Sequence, residues 1–446
     1  MQFTKLQQDA INMIKKWFKA KLKQYFVLSG FAGVGKTFLI KYAVKELDIP
    51  FQDIAFCAYT GKAALALTRK GTSATTIHKL IYETQETIVP LLDKFGKPVL
   101  NKHGEPKTKK VLKYKKKTFL DLNIKLIVVD EYSMVGEEIW KDLLSFGIPI
   151  IVTGDPAQLP PVGDNSGVNL LDNPDILLTE IMRQEEGNGI IQLSMLARNG
   201  KQIPYGNYND DAYVLHKDEL TEKLLLMPDQ VICGKNDTRH IFNNHIRKLL
   251  GYTSKLPTKN DKLICTKNNW NEIIEDTPLI NGLVGFVNNI NPDLIDWLGK
   301  RFRFDFKPDF TDEYFDNIYG DLTTFLNKQD ILDELSSKNI FSKKSNDDLE
   351  DNLLFFNEEE YNNRLLQDLY NDLNDDLERE IYGFDDKYKK KSEKFDFGYA
   401  ITAHKSQGSE FPKVLVYAER MGNNDYYNKW LYTSVTRASK KLVLIK

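Results

Sequence analysis

The stretch "LSGFAGVGKTFLI", residues 28–40, constrains the fold more than any other part of the chain. Gly30, Gly33, Gly35, Lys36 and Thr37 fit the spacing G-x-x-x-x-G-K-[ST]. The preceding "YFVLSG" is short, apolar and partly β-branched, as a buried strand is. Glycines let the backbone turn its N–H groups inward as a concave anion nest. The helix predicted to start at Lys36 points its positive end at the same place, and Val34 within the loop and Phe38 just after it are also expected to contact the nucleotide. The implied ligand is a nucleoside triphosphate, with Lys36 reaching its β- and γ-phosphates and the Thr37 hydroxyl on Mg²⁺. Mg²⁺ also needs a carboxylate, and "KLIVVDEYSMV" supplies one. Its apolar strand ends in Asp130, expected on the metal, and Glu131, expected to polarise the attacking water.

Short apolar strands alternate with amphipathic helices on either side of these motifs. "DIAFCAYT" precedes "GKAALALTRK", "KLIVVDE" precedes "EEIWKDLLSF", and "IPIIVTGD" follows. This alternation predicts a parallel sheet with helical crossovers. It restarts at "QVICGKN" with the helix "DTRHIFNNHIRKLLG", and ends with "KVLVYAER", a helical "YYNKWLYTSVTRAS" and the strand "KKLVLIK". Two α/β units are therefore expected in the 446 residues, a length that allows two to four domains. The net charge of −2 says nothing about partners. The cysteines Cys57, Cys233 and Cys265 lie in strand-like runs without metal spacing, so buried reduced thiols are expected. No apolar run approaches the length of a membrane span and the N-terminal stretch does not read as a signal peptide, so a soluble cytoplasmic protein is expected.

Two segments break the alternation. Residues 84–117 carry ten lysines and turn signals at Phe95-Gly96 and His103-Gly104, which predicts a β-hairpin. Such density is either a solvated loop or a polyanion contact. Residues 259–395 begin with "KLICTKNNW…INGLVGFVNNI", short strands joined by Asn-Gly and Gly turns, as in a small barrel-like β module. From 291 to 395 the tract holds 27 Asp plus Glu against 15 Lys plus Arg, with recurring Tyr, Phe and Leu. It is expected to fold, with its aromatics in a core rather than stacked on bases.

"VTGDPAQLPPV" places Asp155 and Gln158 after a strand, where Gln158 would sense the γ-phosphate. "LTEIMRQ" offers Arg183 and "LYTSVTRASK" offers Arg437. Two arginines from outside the loop suit phosphoryl transfer, because charge spreads over the γ-oxygens as the bond breaks.

The ordered set "FTKLQQDA", "GFAGVGKT", "CAYTGKAA", "ATTIHKL", "VVDEYSM", "GDPAQLPPV", "LTEIMRQ", "AITAHKSQGSEF" and "LYTSVTRA" resembles the superfamily 1 DNA helicases of the RecD-like 5′→3′ branch, and within it the Dda-like phage helicases. The resemblance covers the chain from residue 3 onward except about 291–395. It implies an α/β fold of two RecA-like parallel-sheet domains, with an inserted hairpin in the first and an SH3-like β module plus the acidic tract in the second. The implied boundaries are 1–83 with 118–180 for the first domain, 84–117 for the hairpin, 181–258 with 396–446 for the second domain, and 259–395 for its insertion.

By the same resemblance, Gln7 reads adenine, Gly33, Gly35, Lys36 and Thr37 hold phosphates and Mg²⁺, and Asp130 and Glu131 are metal ligand and catalytic base. Gln158, Arg183 and Arg437 face the γ-phosphate, with Gly408 and Glu410 near the nucleotide. Thr60, Lys62, Thr76, His78, Thr402, His404 and Ser406 match motifs that line a single-strand track, and Asn236, Asn243 and Arg247 stand at the matching positions of the second unit. The hairpin tip, with Phe95 and Lys97, would split the duplex at a junction. The implied partners are ATP, Mg²⁺, single-stranded DNA and single/double-strand junctions, bound by a monomer. The acidic tract is read either as a buttress or as a docking surface for another replication or single-strand-binding protein. Two other activities use much of the same motif set: a translocase that strips proteins from single strands, and a nucleotide switch without motor action.

Overall fold

The computed structural model describes residues 3–90, 108–121, 123–160, 170–180, 188–274, 277–290, 295, 300–309, 311–327, 330–331, 333–334 and 392–446. They form two compact units, one of residues 1–220 with 403–446 and one of 221–402.

The first unit is built on a six-stranded sheet. In chain order its strands are β1 (Tyr25–Gly30), β2 (Ile54–Ala58), β3 (Ala74–Thr76), β6 (Leu126–Asp130), β7 (Ile150–Gly154) and β8 (Ile176–Leu178), with β4 (Tyr82–Pro90) and β5 (Thr108–Lys116) forming a separate ribbon. The sheet order is β3-β2-β6-β7-β1-β8 and every pairing is parallel. A parallel sheet covered on both faces needs strands that are apolar throughout. "LIVVD" of β6 and "IIVTG" of β7 are buried at every position, as that rule requires. Helices α1 (Lys5–Ala20), α2 (Lys36–Lys45), α3 (Gly61–Arg69), α4 (Ile77–Ile81) and α5 (Glu137–Leu144) accompany this sheet. Ala10, Ile11 and Ile14 of α1 and Leu39, Ile40, Ala43 and Val44 of α2 pack with Leu28, Val128 and Ile151 in one core. Trp140 and Leu143 of α5 join Val129, Val152 and Ile77 in another. Each buried Leu, Ile or Val side chain there contributes about 1.5–3 kcal/mol.

The central positions β6, β7 and β1 explain where a site forms. The carboxyl ends of these adjacent strands carry Asp130, Gly154 and Gly30, and ligands bind at such ends in open α/β sheets. The same unit holds four strands of a second sheet. Gly206–Tyr208 runs antiparallel to Ala212–Leu215, which pairs in parallel with Ala438–Ile445, and that strand pairs in parallel with Phe411–Tyr417. The helices Gly189–Arg198 and Asn424–Val435 pack together beside these strands. These sheets form the two-domain RecA-like α/β fold expected from the sequence.

The lysine-rich insertion forms the expected ribbon. Strands β4 and β5 pair antiparallel from Tyr82 with Lys116 to Pro90 with Thr108. Its tip, including Phe95, Lys97 and His103, lies outside the described residues.

In the second unit, Gln230–Cys233 pairs in parallel with Ala400–Thr402, beside the helix Asn236–Leu249. The β module is a five-stranded antiparallel sheet in the order Phe315–Asp321, Arg301–Pro308, Val284–Ile290, Lys262–Cys265, Phe395–Phe397. Phe302, Phe304, Phe306, Phe315 and Phe395 fill its interior, so these aromatics are core, as expected, and in Arg301–Pro308 they alternate with charged residues. Residues 335–391, most of the acidic tract, lie outside the described residues. Cys57, Cys233 and Cys265 are buried free thiols.

Candidate nucleotide site

The loop after β1 has the backbone that its glycines permit. Gly33 and Gly35 sit at φ 83° and 81°, in the left-handed region that disfavours side chains. A Cβ on Gly30 would come within 2.8 Å of the Val34 side chain and 3.0 Å of Leu178, so close packing also excludes a larger residue there. Helix α2 starts at Lys36 as expected, with Gly35 as its N-cap. The Lys36 ammonium donates to Gly30 O at 2.7 Å and Phe31 O at 3.0 Å, which holds it against the loop.

Thr37 and Asp130 meet across the site. The Thr37 hydroxyl donates to Asp130 Oδ2 at 3.2 Å, and Asp130 Oδ1 accepts the Glu131 N–H at 3.0 Å. Burial pushes the Asp130 carboxyl up, while Lys36 and these two hydrogen bonds pull it down. Glu131 is also raised, by burial first and then by the Asp130 charge, with Arg437 and Lys36 opposing. Glu131 adopts φ 53°, a left-handed backbone uncommon for a residue with a side chain. Strain of this kind, of order 1–3 kcal/mol, gathers at functional sites. A buried carboxylate beside a threonine hydroxyl suits a divalent cation that is bound mainly by phosphate and water. Among the described residues no group of three His, Cys, Asp or Glu side chains forms a metal cage of its own.

Gln7 lies at the start of α1 in a capping box with Thr4, and its Nε2 donates to Val34 O at 3.3 Å. The expected adenine reader is therefore tied to the phosphate loop itself. Phe38 is exposed on α2, and Phe3, from the segment before α1, lies 6.0 Å from its ring and 4.6 Å from that of Tyr42.

Arg437 follows the helix Asn424–Val435 and is 5% exposed. Its guanidinium donates to Thr433 O at 3.0 Å, Ser409 O at 3.1 Å and Thr436 Oγ1 at 3.0 Å. Burial lowers its pKa, and the field of Glu131 raises it most among its charged neighbours, followed by Tyr432, Asp155 and Glu410. The structure thus brings Arg437 and Glu131 together although they are far apart in the chain. Gly408, at φ 71°, packs against Ala63 of α3, and Glu410 is exposed near Arg437. Gln158 is buried, and its Oε1 has no hydrogen-bond partner among the described residues. Arg183 lies outside the described residues.

The residues read as a strand track divide into several roles. Thr60 and Thr76 cap α3 and α4, accepting from Ala63 N and Lys79 N. The Lys62 ammonium lies 5.1 Å from the Phe411 ring. His78 sits between the rings of Tyr59 and Tyr82, and His404 Nε2 lies 3.2 Å from the Tyr426 hydroxyl. Burial lowers the pKa of both histidines, which favours the neutral ring. Ser406 is fully enclosed and donates to Ala403 O. Thr402 is buried at the end of its strand in the second unit.

Asn236 begins the helix Asn236–Leu249, and its Oδ1 accepts from Arg239 Nε. Farther along that helix, Asn243 is spent on the Phe397 and Ala400 backbone, and Arg247 pairs with buried Asp261 at 2.8 Å.

Sequence reading passed over Tyr432, Thr433, Gln407 and Arg198. Tyr432 stands inside the quoted "LYTSVTRA", so its signal was a phenol in a run otherwise read for its arginine.

Residues 5–219 match the family model of an AAA domain, and residues 397–445 match that of the UvrD-like helicase C-terminal domain. An uncharacterized protein of Acanthamoeba polyphaga mimivirus is 25% identical over 500 residues, spanning 99% of each chain. The ATP-dependent RecD2 DNA helicase of Deinococcus radiodurans is 29% identical over 210 residues, which is 45% of this chain and 25% of that protein. Two solved structures of Pif1 helicases share the fold at 16% identity, each covered over 92% of its length and covering 100% of this chain. One shows DNA unwinding at forked duplex by two coordinating Pif1 helicases, at a TM-score of 0.53. The other is Bacteroides Pif1 bound to single-stranded DNA, at a TM-score of 0.51. Among the described residues no helix is long and apolar enough to cross a membrane.

Proposed function

We propose, from the premise that the two matched family models and the RecD2 and Pif1 likenesses support a superfamily 1 helicase, that this protein is an ATP-dependent DNA helicase moving 5′→3′ on single-stranded DNA. The observation that carries the reading is Arg437. It reaches the field of Glu131 from a helix about 300 residues further along the chain, beside the Lys36–Thr37–Asp130 cluster. A nucleotide switch needs the loop and the carboxylates; it does not need a buried arginine brought in from the far end of the chain.

In this reading Lys36 and the loop amides hold the phosphates, Thr37 and Asp130 hold Mg²⁺, and Glu131 orients and deprotonates the attacking water. Mg²⁺ neutralises phosphate charge when bound. Arg437 and Gln158 sense the γ-phosphate, with Arg183 as a second arginine. Gln7 and the exposed Phe38 receive the base. Loss of the γ-phosphate changes what Arg437 is paired with, and this couples hydrolysis to movement of the RecA-like domains along a strand. The strand is gripped through its phosphates, so binding weakens with salt. Lys62, His78, His404 and Asn236 are the proposed contacts within the track. The Dda-like pattern of motifs, with a lysine-rich ribbon following "TIHKL", supports the 5′→3′ sense and a wedge at the junction. A protein-stripping translocase would use the same machinery without the wedge.

The test uses matched duplexes that carry a single-stranded tail at one end only. Unwinding of the 5′-tailed substrate and not the 3′-tailed one is expected. Preference for the 3′ tail refutes the assigned direction, and ATP turnover without unwinding of either favours the protein-stripping translocase.

A further inference from the structure

The hydroxyl of Tyr432 joins two loops that the sequence keeps far apart. Tyr432 lies in the helix Asn424–Val435 and is 1% exposed. Its oxygen accepts the N–H of Ala32, in the phosphate loop, at 3.0 Å. Its proton is donated to Asp155 Oδ2 at 2.7 Å. Asp155 is fully enclosed, and its other oxygen accepts the Ala157 N–H at 3.0 Å. A phenylalanine would fill the same space, and a buried hydroxyl costs free energy unless it is paired. Here both of its hydrogen-bonding capacities are used, each on a loop of the candidate nucleotide site.

The next residue repeats the pattern. Thr433 Oγ1 accepts the Leu159 N–H at 3.0 Å, and Gln407 Nε2 donates to Leu159 O at 3.1 Å. The loop 155–159 is therefore fastened at both ends, at Asp155 and at Leu159. Between the two anchors stands Gln158, buried and with its Oε1 unpartnered among the described residues. The Thr433 carbonyl also accepts from Arg437 Nε, one turn along. On the phosphate loop, the Arg198 guanidinium stacks 3.6 Å from the Phe31 ring, which braces the residue before Ala32. One helix thus ties Ala32 to Asp155 through Tyr432, and Leu159 to Arg437 through Thr433.

We infer that Tyr432 is a positioning residue for ATP hydrolysis, its hydroxyl holding the phosphate loop at Ala32 and the Gln158 loop at Asp155 to the helix that delivers Arg437. The inference rests on the ATPase reading given above. Tyr432 has no role as nucleophile, acid or base. It fixes where Gln158 and Arg437 stand relative to the loop, so its loss lowers turnover more than binding.

Tyr432→Phe tests this, because it keeps the ring and removes only the hydroxyl. Steady-state ATP hydrolysis with poly(dT) is measured alongside the thermal unfolding midpoint. The expected result is a kcat lower by about tenfold or more with KM within about twofold, in a variant that still unfolds cooperatively. A residue that merely fills the core would lower the midpoint and leave kcat per folded molecule unchanged, and that result overturns the inference. A loss carried by KM overturns it too, since Tyr432 would then shape the binding pocket alone. If Tyr432→Phe does not fold, Asp155→Asn is measured in its place, with the same split between kcat and KM expected and the same results overturning. Absence of ATP hydrolysis in the unaltered protein would count against the ATPase reading and not against this assignment.

Discussion

Glu131 shows how much of the site is decided by single residues. It follows the last residue of β6, takes a left-handed backbone, and lies in the fields of Asp130, Arg437 and Lys36. A general base contributes about 10²–10⁴-fold to rate. Glu131→Gln keeps the shape and removes the base, so kcat is expected to fall by that factor while ATP binding and the unfolding midpoint stay near their original values. Binding by filter retention beside turnover by phosphate release reads both, and a variant that turns over ATP normally would remove Glu131 from the mechanism. Residue identity was legible at this position because a carboxylate pair after an apolar strand is a local pattern. Tyr432 was not legible as a positioning residue, because its meaning depends on Ala32, 400 residues away. Asn243 and Arg247 stand at motif positions, and in the structure they bond to the Phe397 and Ala400 backbone and to Asp261, partners that no local pattern announces.

At the scale of elements, the parallel strands were readable because burial on both faces leaves no polar alternation to confuse them, as in β6 and β7. In Arg301–Pro308 the phenylalanines alternate with charged residues, and the strand buries them with the same period of two. Pairing partners were harder to read. Nothing local to "AYVL" at 212–215 says that it lies beside Ala438–Ile445. The ribbon of β4 and β5 is the element with the sharpest consequence. Cutting it back to the pairs from Tyr82 with Lys116 to Gln85 with Lys113, closed by a two-residue turn, removes the segment assigned to the wedge. Strand separation is expected to be lost while DNA-stimulated ATP hydrolysis persists. Equal loss of both would make the ribbon a general DNA-binding element instead.

For the whole molecule, the central claim is that a triphosphate held by the loop at Lys36 is sensed by Arg437 from the far end of the chain, and that a bound strand governs the turnover. Much of this was legible as an ordered set of motifs. The geometry adds that Arg437 lies buried in the field of Glu131, held by Thr433, Ser409 and Thr436. The most direct measurement is the steady-state rate of ATP hydrolysis with and without poly(dT), in the unaltered protein and in Arg437→Ala. The account predicts strong stimulation by poly(dT) in the first and, in the second, a kcat lower by about 10³-fold or more with the DNA present. Hydrolysis that ignores poly(dT), or that survives loss of Arg437, would contradict it.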